Sequence, residues 1–150
     1  MRLVIQRVTH ASVTIDDEKV SEIAKGLLIL VGIEDADTES DSHWLAEKVS
    51  KIRIFDDVNG VMNLSVNDIH GEALVVSQFT LHALTAKGNR PSYIRASKPS
   101  HAIPLYEHFV KELQSLLPTK VQTGRFGADM KVELLNDGPV TILMDSQRKE

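Results

Sequence analysis

The sequence predicts an α+β fold in which curled or barrel-like mixed β-sheets pack with two main helices in a single domain. Three observations carry that expectation. Short runs of alternating or uniformly apolar residues recur from Leu3 to Met144, as strands require. Only two stretches repeat apolar residues at helical spacing, and they are inserted into the series of strands, the order of an α+β domain. The chain has 150 residues, 42% of them hydrophobic, enough for one substantial core.

Residues 3–8 and 11–15 both read as strands, the second alternating Ala11, Val13 and Ile15 with Ser12 and Thr14. Asp16-Asp17 marks a turn, so a hairpin with residues 19–23 is expected. Gly26 then punctuates the chain before residues 27–33, an almost continuous apolar run suited to a central strand. Arg7 stands among apolar neighbours in the first strand and is either a snorkelling edge residue or a buried donor awaiting an acceptor.

Asp35, Asp37 and Thr38 supply N-cap candidates and early acids, and Trp44, Leu45, Val49 and Ile52 come after them at helical spacing. A first helix is therefore expected over 39–52, with Trp44 in the core. A short strand at 54–55, a turn through 56–60, a return at 61–64 and a second turn at 67–71 come next. The second helix opens at Pro99-Ser100, carries one apolar stripe of Ile103, Tyr106, Phe109, Val110, Leu113 and Leu117, and is stopped by Pro118. Beyond it the pattern gives a brief strand at 121–123, a small-residue crossing at 124–128, a strand at 131–135, a turn at 136–138 and a last strand at 139–144. The polar tail 145–150 is expected to fray.

Several functional classes drop out on composition. With no cysteine there is no disulfide framework, no thiolate nucleophile and no cysteine-ligated metal. The six histidines are scattered without metal-ligand spacing, so neither a metal nor another cofactor is expected, and most of them should lie at the surface. There is no apolar run of about eighteen residues, and Met1 to Ile5 lead straight into an alternating pattern without a signal-peptide core. A soluble, cytoplasmic protein with no membrane partner is the expectation.

The chain is organised around residues 74–81, Leu-Val-Val-Ser-Gln-Phe-Thr-Leu. Its front half is apolar and β-branched, as in a strand buried on both faces, and its back half offers two hydroxyls and an amide. A core strand that turns polar at its end is a place to build a site, because rigid backbone positions the groups and the terminus opens them to solvent. Ser77 and Thr80 are equally able to bond neighbouring strands. The stretch after the strand adds charge: from Ala73 to Tyr106 there is no Asp or Glu, yet Lys87, Arg90, Arg95 and Lys98 fall inside. The chain as a whole carries 17 basic against 21 acidic residues, and with those four set aside 13 face 21. Positive charge is thus local, and the turn-rich loop at 87–92 either holds a phosphate-bearing substrate or is a solvated basic loop.

For hydrolysis the nucleophile candidates are Ser77 and Thr80, but no Gly-x-Ser-x-Gly elbow surrounds either. His82 would share a face with Thr80 if the strand continued, although a strand-end histidine is ordinarily a surface residue. Alternatively, backbone N–H groups at the strand end stabilise an oxyanion and the substrate brings its own hydroxyl. Asn136-Asp137-Gly138-Pro139-Val140-Thr141 reads by pattern as a hairpin turn, since only about 5–6% of X-Pro bonds in folded proteins are cis.

Taken together, Ser77-Gln78-Phe79-Thr80-Leu81, Lys87-Gly88-Asn89-Arg90-Pro91-Ser92, the run 123–130 (Thr-Gly-Arg-Phe-Gly-Ala-Asp-Met) and Asn136-Asp137-Gly138-Pro139-Val140-Thr141 resemble the successive motifs of the D-aminoacyl-tRNA deacylases. Gln6-Arg7-Val8 with Ala11-Ser12-Val13 resembles that family's first hairpin, so the likeness spans the chain; Tyr93 stands where the family's Phe is expected. The resemblance implies a homodimeric editing hydrolase. It would cleave the ester between a D-amino acid, or glycine mischarged on alanine tRNA, and the acceptor end of tRNA.

It further implies that Gly138-Pro139 is a cis pair entering the partner subunit's pocket, where its carbonyls exclude an L side chain, with Arg7 as its anchor. Substrate binding and chiral selection would also draw on Phe126, Ala128 and Met130. Ser77, Gln78 and Phe79 would surround the chemistry, assisted by the terminal ribose 2′-hydroxyl, with Thr80 a disputed nucleophile. Lys87 and Arg90 would touch tRNA, and no DNA partner is expected. Two other classes compete with this reading: a generic Thr/Ser esterase, which needs Thr80 and no tRNA, and a non-catalytic tRNA-binding module. Against the latter, Tyr93 is the lone aromatic beside the basic loop, which is no stacking platform.

Overall fold

One strand, β1, runs from Arg2 to Ile15, where the sequence pattern suggests two. The computed structural model, which describes all 150 residues, shows why the pattern misleads. Thr9 and His10 are exposed and break the alternation, but β1 only changes partners there. Its first half pairs antiparallel with β3 (Gly26–Gly32), and its second half pairs antiparallel with β2 (Glu18–Ile23). Asp16 and Asp17, at φ +50° and +62°, make the two-residue turn between β1 and β2, whose tight geometry needs positive φ at both positions.

Helix α1 (Glu39–Lys51) comes after β3, and Thr38 caps it, its N–H donating to the Asp41 carboxylate at 2.8 Å. Trp44 lies at the margin of the core rather than within it, half-buried with the Lys149 ammonium 4.5 Å above its ring. A small hairpin of β4 (Phe55–Asp56) and β5 (Met62–Leu64) matches the expected turn. Strand β6 (Glu72–Ser77) runs parallel to β3 and to β7 (Val121–Thr123). Helix α2 (Pro99–Leu116) starts on Pro99, whose missing N–H costs nothing there. Its buried stripe takes in Ala102 and Leu105 beside Tyr106, Phe109 and Leu113. Tyr106 donates its hydroxyl to the Val75 carbonyl at 2.8 Å, and burial pushes that hydroxyl's pKa well above the ordinary tyrosine range.

The last strand, β8 (Lys131–Asp145), is continuous, so the hairpin turn expected at 136–138 does not exist. It lies antiparallel to β1 from Arg2 to Thr14, and long-range pairing carries the chain straight through Asn-Asp-Gly-Pro. The tail is not wholly frayed either: Ser146 is buried, its hydroxyl accepting from the Met1 ammonium at 2.8 Å, and that ammonium also pairs with buried Asp37.

The main path β2-β1-β3-β6-β7, with β2 coming back beside β6 and β7, is a nearly closed barrel-like mixed sheet. Alternate residues of its central strands feed two cores. Ile29 and Val75 face α1 and α2 with Leu45, Phe109 and Leu113, while Leu28, Leu74 and Val76 pack with Val8, Val13 and Ile23 on the other face. That division is the physical content of an apolar run with no alternation: β6 is buried on both sides.

Gly26 shows how tightly β3 and β6 meet. A Cβ built there would sit 1.9 Å from the Glu72 carbonyl oxygen, a backbone atom that cannot swing aside. Gly26→Ala should therefore destabilise the fold by at least the 1–3 kcal/mol typical of overpacking, about 2–12 °C in Tm for a chain of this size. Thermal unfolding followed by circular dichroism checks this, and an unchanged Tm would contradict so close an approach.

Candidate active site

β6 gives up strand geometry after Ser77. The Gln78 N–H donates to the Val31 carbonyl at 2.7 Å, and the chain tightens into a 3-10 turn, Phe79–His82, closed by the Ala83 N–H on the Thr80 carbonyl at 3.0 Å. Three residues per turn place side chains two apart about 240° from one another. Thr80 and His82 therefore do not share a strand face. Phe79 points out, 56% exposed, whereas His82 points in and is 0% exposed, contrary to the expected surface position. Gln78 Nε2 donates to the Thr80 hydroxyl, so Thr80 is held by its neighbour.

A cavity of about 540 Å³ opens where β6 ends. Ser77, Gln78 and Phe79 line one side, and Phe126, Ala128 and Met130 another, so six of the residues singled out by sequence meet there. The small-residue crossing brings the second group in, with Gly127 at φ +77° making the bend. Tyr93, Ser97 and Lys98 complete the wall, Tyr93 meeting the Phe79 ring edge-on at 5.1 Å. Lys98 was visible in the sequence only as one charge of a basic stretch; nothing in the pattern marks Ser97. The lining contains no histidine and no carboxylate, and its one ionisable cation is Lys98. The hydroxyl of Ser77 accordingly has no general base in the cavity, and a reaction there depends on positioned donors and on groups the substrate carries.

Thr80, Arg7, Gly138, Pro139, Lys87 and Arg90 are not among the residues lining this cavity. Gly138 and Pro139, joined by a cis bond, are exposed on an arch of β8. Between the pairs Gln6–Thr141 and Val8–Asn136, β1 advances two residues while β8 advances five, and the extra chain loops outward. Arg7 lies beneath it, 6% exposed, which settles it as a buried donor. Its Nε donates to the Asp137 carbonyl at 2.8 Å and its guanidinium to the Ile54 carbonyl at 2.7 Å and the Asp56 carboxylate at 3.2 Å. Asn136 closes the arch, its Oδ1 accepting the Val140 N–H at 3.0 Å. At φ +138° Gly138 occupies backbone space that favours glycine, and an added Cβ would meet Val140 Cγ2 at 2.8 Å and the Arg7 guanidinium at 3.0 Å. Lys87 and Arg90 project from an exposed loop pinned at its base by paired N–H to carbonyl bonds between Leu84 and Ser92, 2.8 and 2.9 Å.

Behind the turn, burial pushes the His82 imidazole below its ordinary range; the Gly32 backbone and the Glu34 carboxylate oppose this, while Arg2 and the Met1 ammonium reinforce it. Burial would raise the Glu34 carboxyl, but the Arg95 guanidinium, 2.8 Å away, together with His82 holds it below the usual range. For His82 the unfolded chain binds the proton more readily, so stability is full above about pH 6.5 and falls as pH drops toward the lowered folded value. His82→Gln should flatten the dependence of Tm on pH between about 6.5 and 5. Parallel melting curves for both proteins across that interval would contradict the assignment.

Comparison with known proteins places the chain in a family. A family model described as "D-Tyr-tRNA(Tyr) deacylase" matches residues 4–145. The chain is 67% identical to the D-aminoacyl-tRNA deacylase of Flavobacterium psychrophilum and 66% identical to that of Parabacteroides distasonis, each over 150 residues and the whole of both chains. Among solved structures, one titled "c-Myc DNA Unwinding Element Binding Protein" superposes with a TM-score of 0.91 at 39% identity, covering 97% of this chain and 98% of that one. A probable eukaryotic D-amino acid tRNA deacylase superposes at 0.81 with 16% identity over 95% and 97%, which bears on the fold alone. By the family match and by identity along its full length, the chain belongs to the D-tyrosyl-tRNA deacylase family of hydrolases.

Proposed function

We propose that the protein is a D-aminoacyl-tRNA deacylase that hydrolyses the ester between a D-amino acid and the terminal adenosine of tRNA, releasing free amino acid and tRNA. The observation that carries the reading is a separation: the cavity at the end of β6 lacks a base, while an exposed, internally braced Gly138-Pro139 arch stands on β8 and does not line that cavity. Two copies related by a twofold axis supply what one lacks, each arch entering the other's cavity. Backbone placed where an L side chain must go rejects it whatever its identity, and leaves D residues, and glycine mischarged on alanine tRNA, acceptable. In place of a protein base, the terminal 2′-hydroxyl, which adjoins the scissile ester, orients the attacking water, and proximity alone supplies several kcal/mol. The water's oxygen joins the acyl carbon as the ribose oxygen leaves with a proton, giving free amino acid and tRNA. Lys87 and Arg90 meet tRNA phosphates, and the enzyme works in the cytoplasm, where charged tRNA is found.

One assay with D- and L-tyrosyl-tRNA tests the whole reading. The D ester should be cleaved and the L ester spared, with the active species sedimenting as a dimer. Gly138→Ala should cut D turnover by on the order of 100-fold, the usual consequence of a displacement near 1 Å. Thr80→Ala should keep appreciable turnover, while a tRNA ending in 2′-deoxyadenosine should lose most of it. Neutralising Lys87 and Arg90 should lower the salt slope of binding by roughly one for each phosphate no longer neutralised. Equal cleavage of both esters, or a fully active monomer, would overturn the chiral mechanism. Loss of activity with Thr80→Ala and retention on the deoxy substrate would favour a threonine esterase instead. The relative named for DNA binding gives a second reading, and a duplex DNA competitor that displaces tRNA at equal concentration would support it.

A further inference from the structure

We propose that His82 is a positioning residue for this reaction: through Glu34 and Arg95 it sets the Phe79–His82 turn against the segment 93–98 across the cavity. The proposal rests on the deacylase reading for its assay, though not for its geometry.

His82 is the one fully buried histidine, and neither ring nitrogen has a hydrogen-bond partner of ordinary geometry, although the Gly32 backbone lies close enough to favour the charged ring. A buried polar ring without partners is costly where an aliphatic side chain would fill the same space, so its use calls for a polar role. The turn it ends lies directly on Gly32: a Cβ there would come within 2.8 Å of Leu81 Cβ and 3.1 Å of the Gln78 carbonyl oxygen and of His82 Cδ2. Two residues on, Glu34 turns its carboxylate between the two walls. One oxygen is 3.9 Å from His82 Nδ1, and the other accepts from Arg95 at 2.8 Å. Arg95 belongs to the second wall, which is tied to the end of β3 through a Glu34–Ala96 bridge and the Ser97 N–H on the Ile33 carbonyl at 2.9 Å.

Phe79 and Tyr93 touch across the gap that this line spans. A separation of 3.9 Å is too long for a hydrogen bond, yet movement of about 1 Å closes it, and such bonds commonly tighten only when substrate is bound. The other charges facing His82 are Arg2, which donates to the Leu81 carbonyl at 3.1 Å, and the Met1 ammonium. Both are cations, and Arg2 is tied to the turn directly. His82 is not part of the cavity lining, so it acts through the turn's placement and not on the substrate.

The test uses the full chain and four variants: His82→Leu, His82→Gln, Glu34→Gln and the double variant His82→Leu/Glu34→Gln. Apolar His82→Leu fills the space and should melt no lower than the parent, yet its kcat on D-tyrosyl-tRNA should fall by about 10- to 100-fold with KM unchanged. A merely structural histidine predicts the reverse. His82→Gln, which keeps an N–H, should recover part of the loss, and the double variant should be no slower than the slower single one. Independently of activity, Glu34→Gln should shift the His82 Nδ1 resonance in a ¹⁵N spectrum. Undiminished kcat in His82→Leu, multiplicative losses in the double variant, or an unmoved resonance would each overturn the proposal. Failure of the parent itself to discriminate D from L esters would overturn the deacylase reading instead, with the resonance still deciding the His82–Glu34 contact.

Discussion

The guanidinium of Arg7 is the constraint on which the arrangement of the second half of the chain depends. A buried, permanently charged group must have its donors satisfied, and leaving such a group unpaired costs several kcal/mol. Arg7 places its Nε and Nη1 donors on the carbonyls of Ile54 and Asp137 and the Asp56 carboxylate, three acceptors from two segments remote in sequence. The small β4–β5 hairpin is thereby fixed relative to β8, and β8 can depart from regular pairing without losing its register on either side of the departure. An exposed loop of the same composition would sample many conformations. Held from beneath by Arg7 and braced across its base by Asn136, the arch presents one backbone surface to solvent.

The local elements were legible because they follow from local physics. Thr38 with Asp41 caps α1 as the acids before it suggest, Pro99 opens α2, and residues 74–76 lack alternation because β6 is covered on both faces. What escaped was decided by distant partners. Thr9 and His10 look like a break until β1 is seen to exchange β3 for β2 at that point while β8 continues along its other edge. Asn-Asp-Gly-Pro is good turn chemistry, and only pairing on both sides of it with one strand makes it an arch. Arg7 could be read two ways from its neighbours, because nothing near it in sequence names Ile54 or Asp137 as acceptors.

The site divides in the same manner. Residues that converge through one strand end and one small-residue crossing were within reach, since a polar end on an apolar strand and a bend at Gly127 are both written locally. The third wall was not, because Ser97 and Lys98 arrive by way of a long loop anchored to the end of β3. His82 was misread for a related reason. Continued strand geometry would have carried it to the surface beside Thr80, and a tight turn instead rotated it inward onto Gly32.

This placement has a chemical consequence for the proposed reaction. A cavity lined without carboxylate or imidazole is poorly equipped to generate a nucleophile, but it is also unable to hydrolyse an ester merely because one has entered. Turnover in that reaction depends on how the substrate is held, with its own hydroxyl aligned on the scissile carbonyl. An L-configured ester that is tilted by collision with rigid backbone loses that alignment even where it still binds. Selection and catalysis become one requirement, met by shape. A protein base strong enough to attack any bound ester would have separated the two and eroded the discrimination, so on the proposed reading the bare lining and the braced arch belong to the same solution.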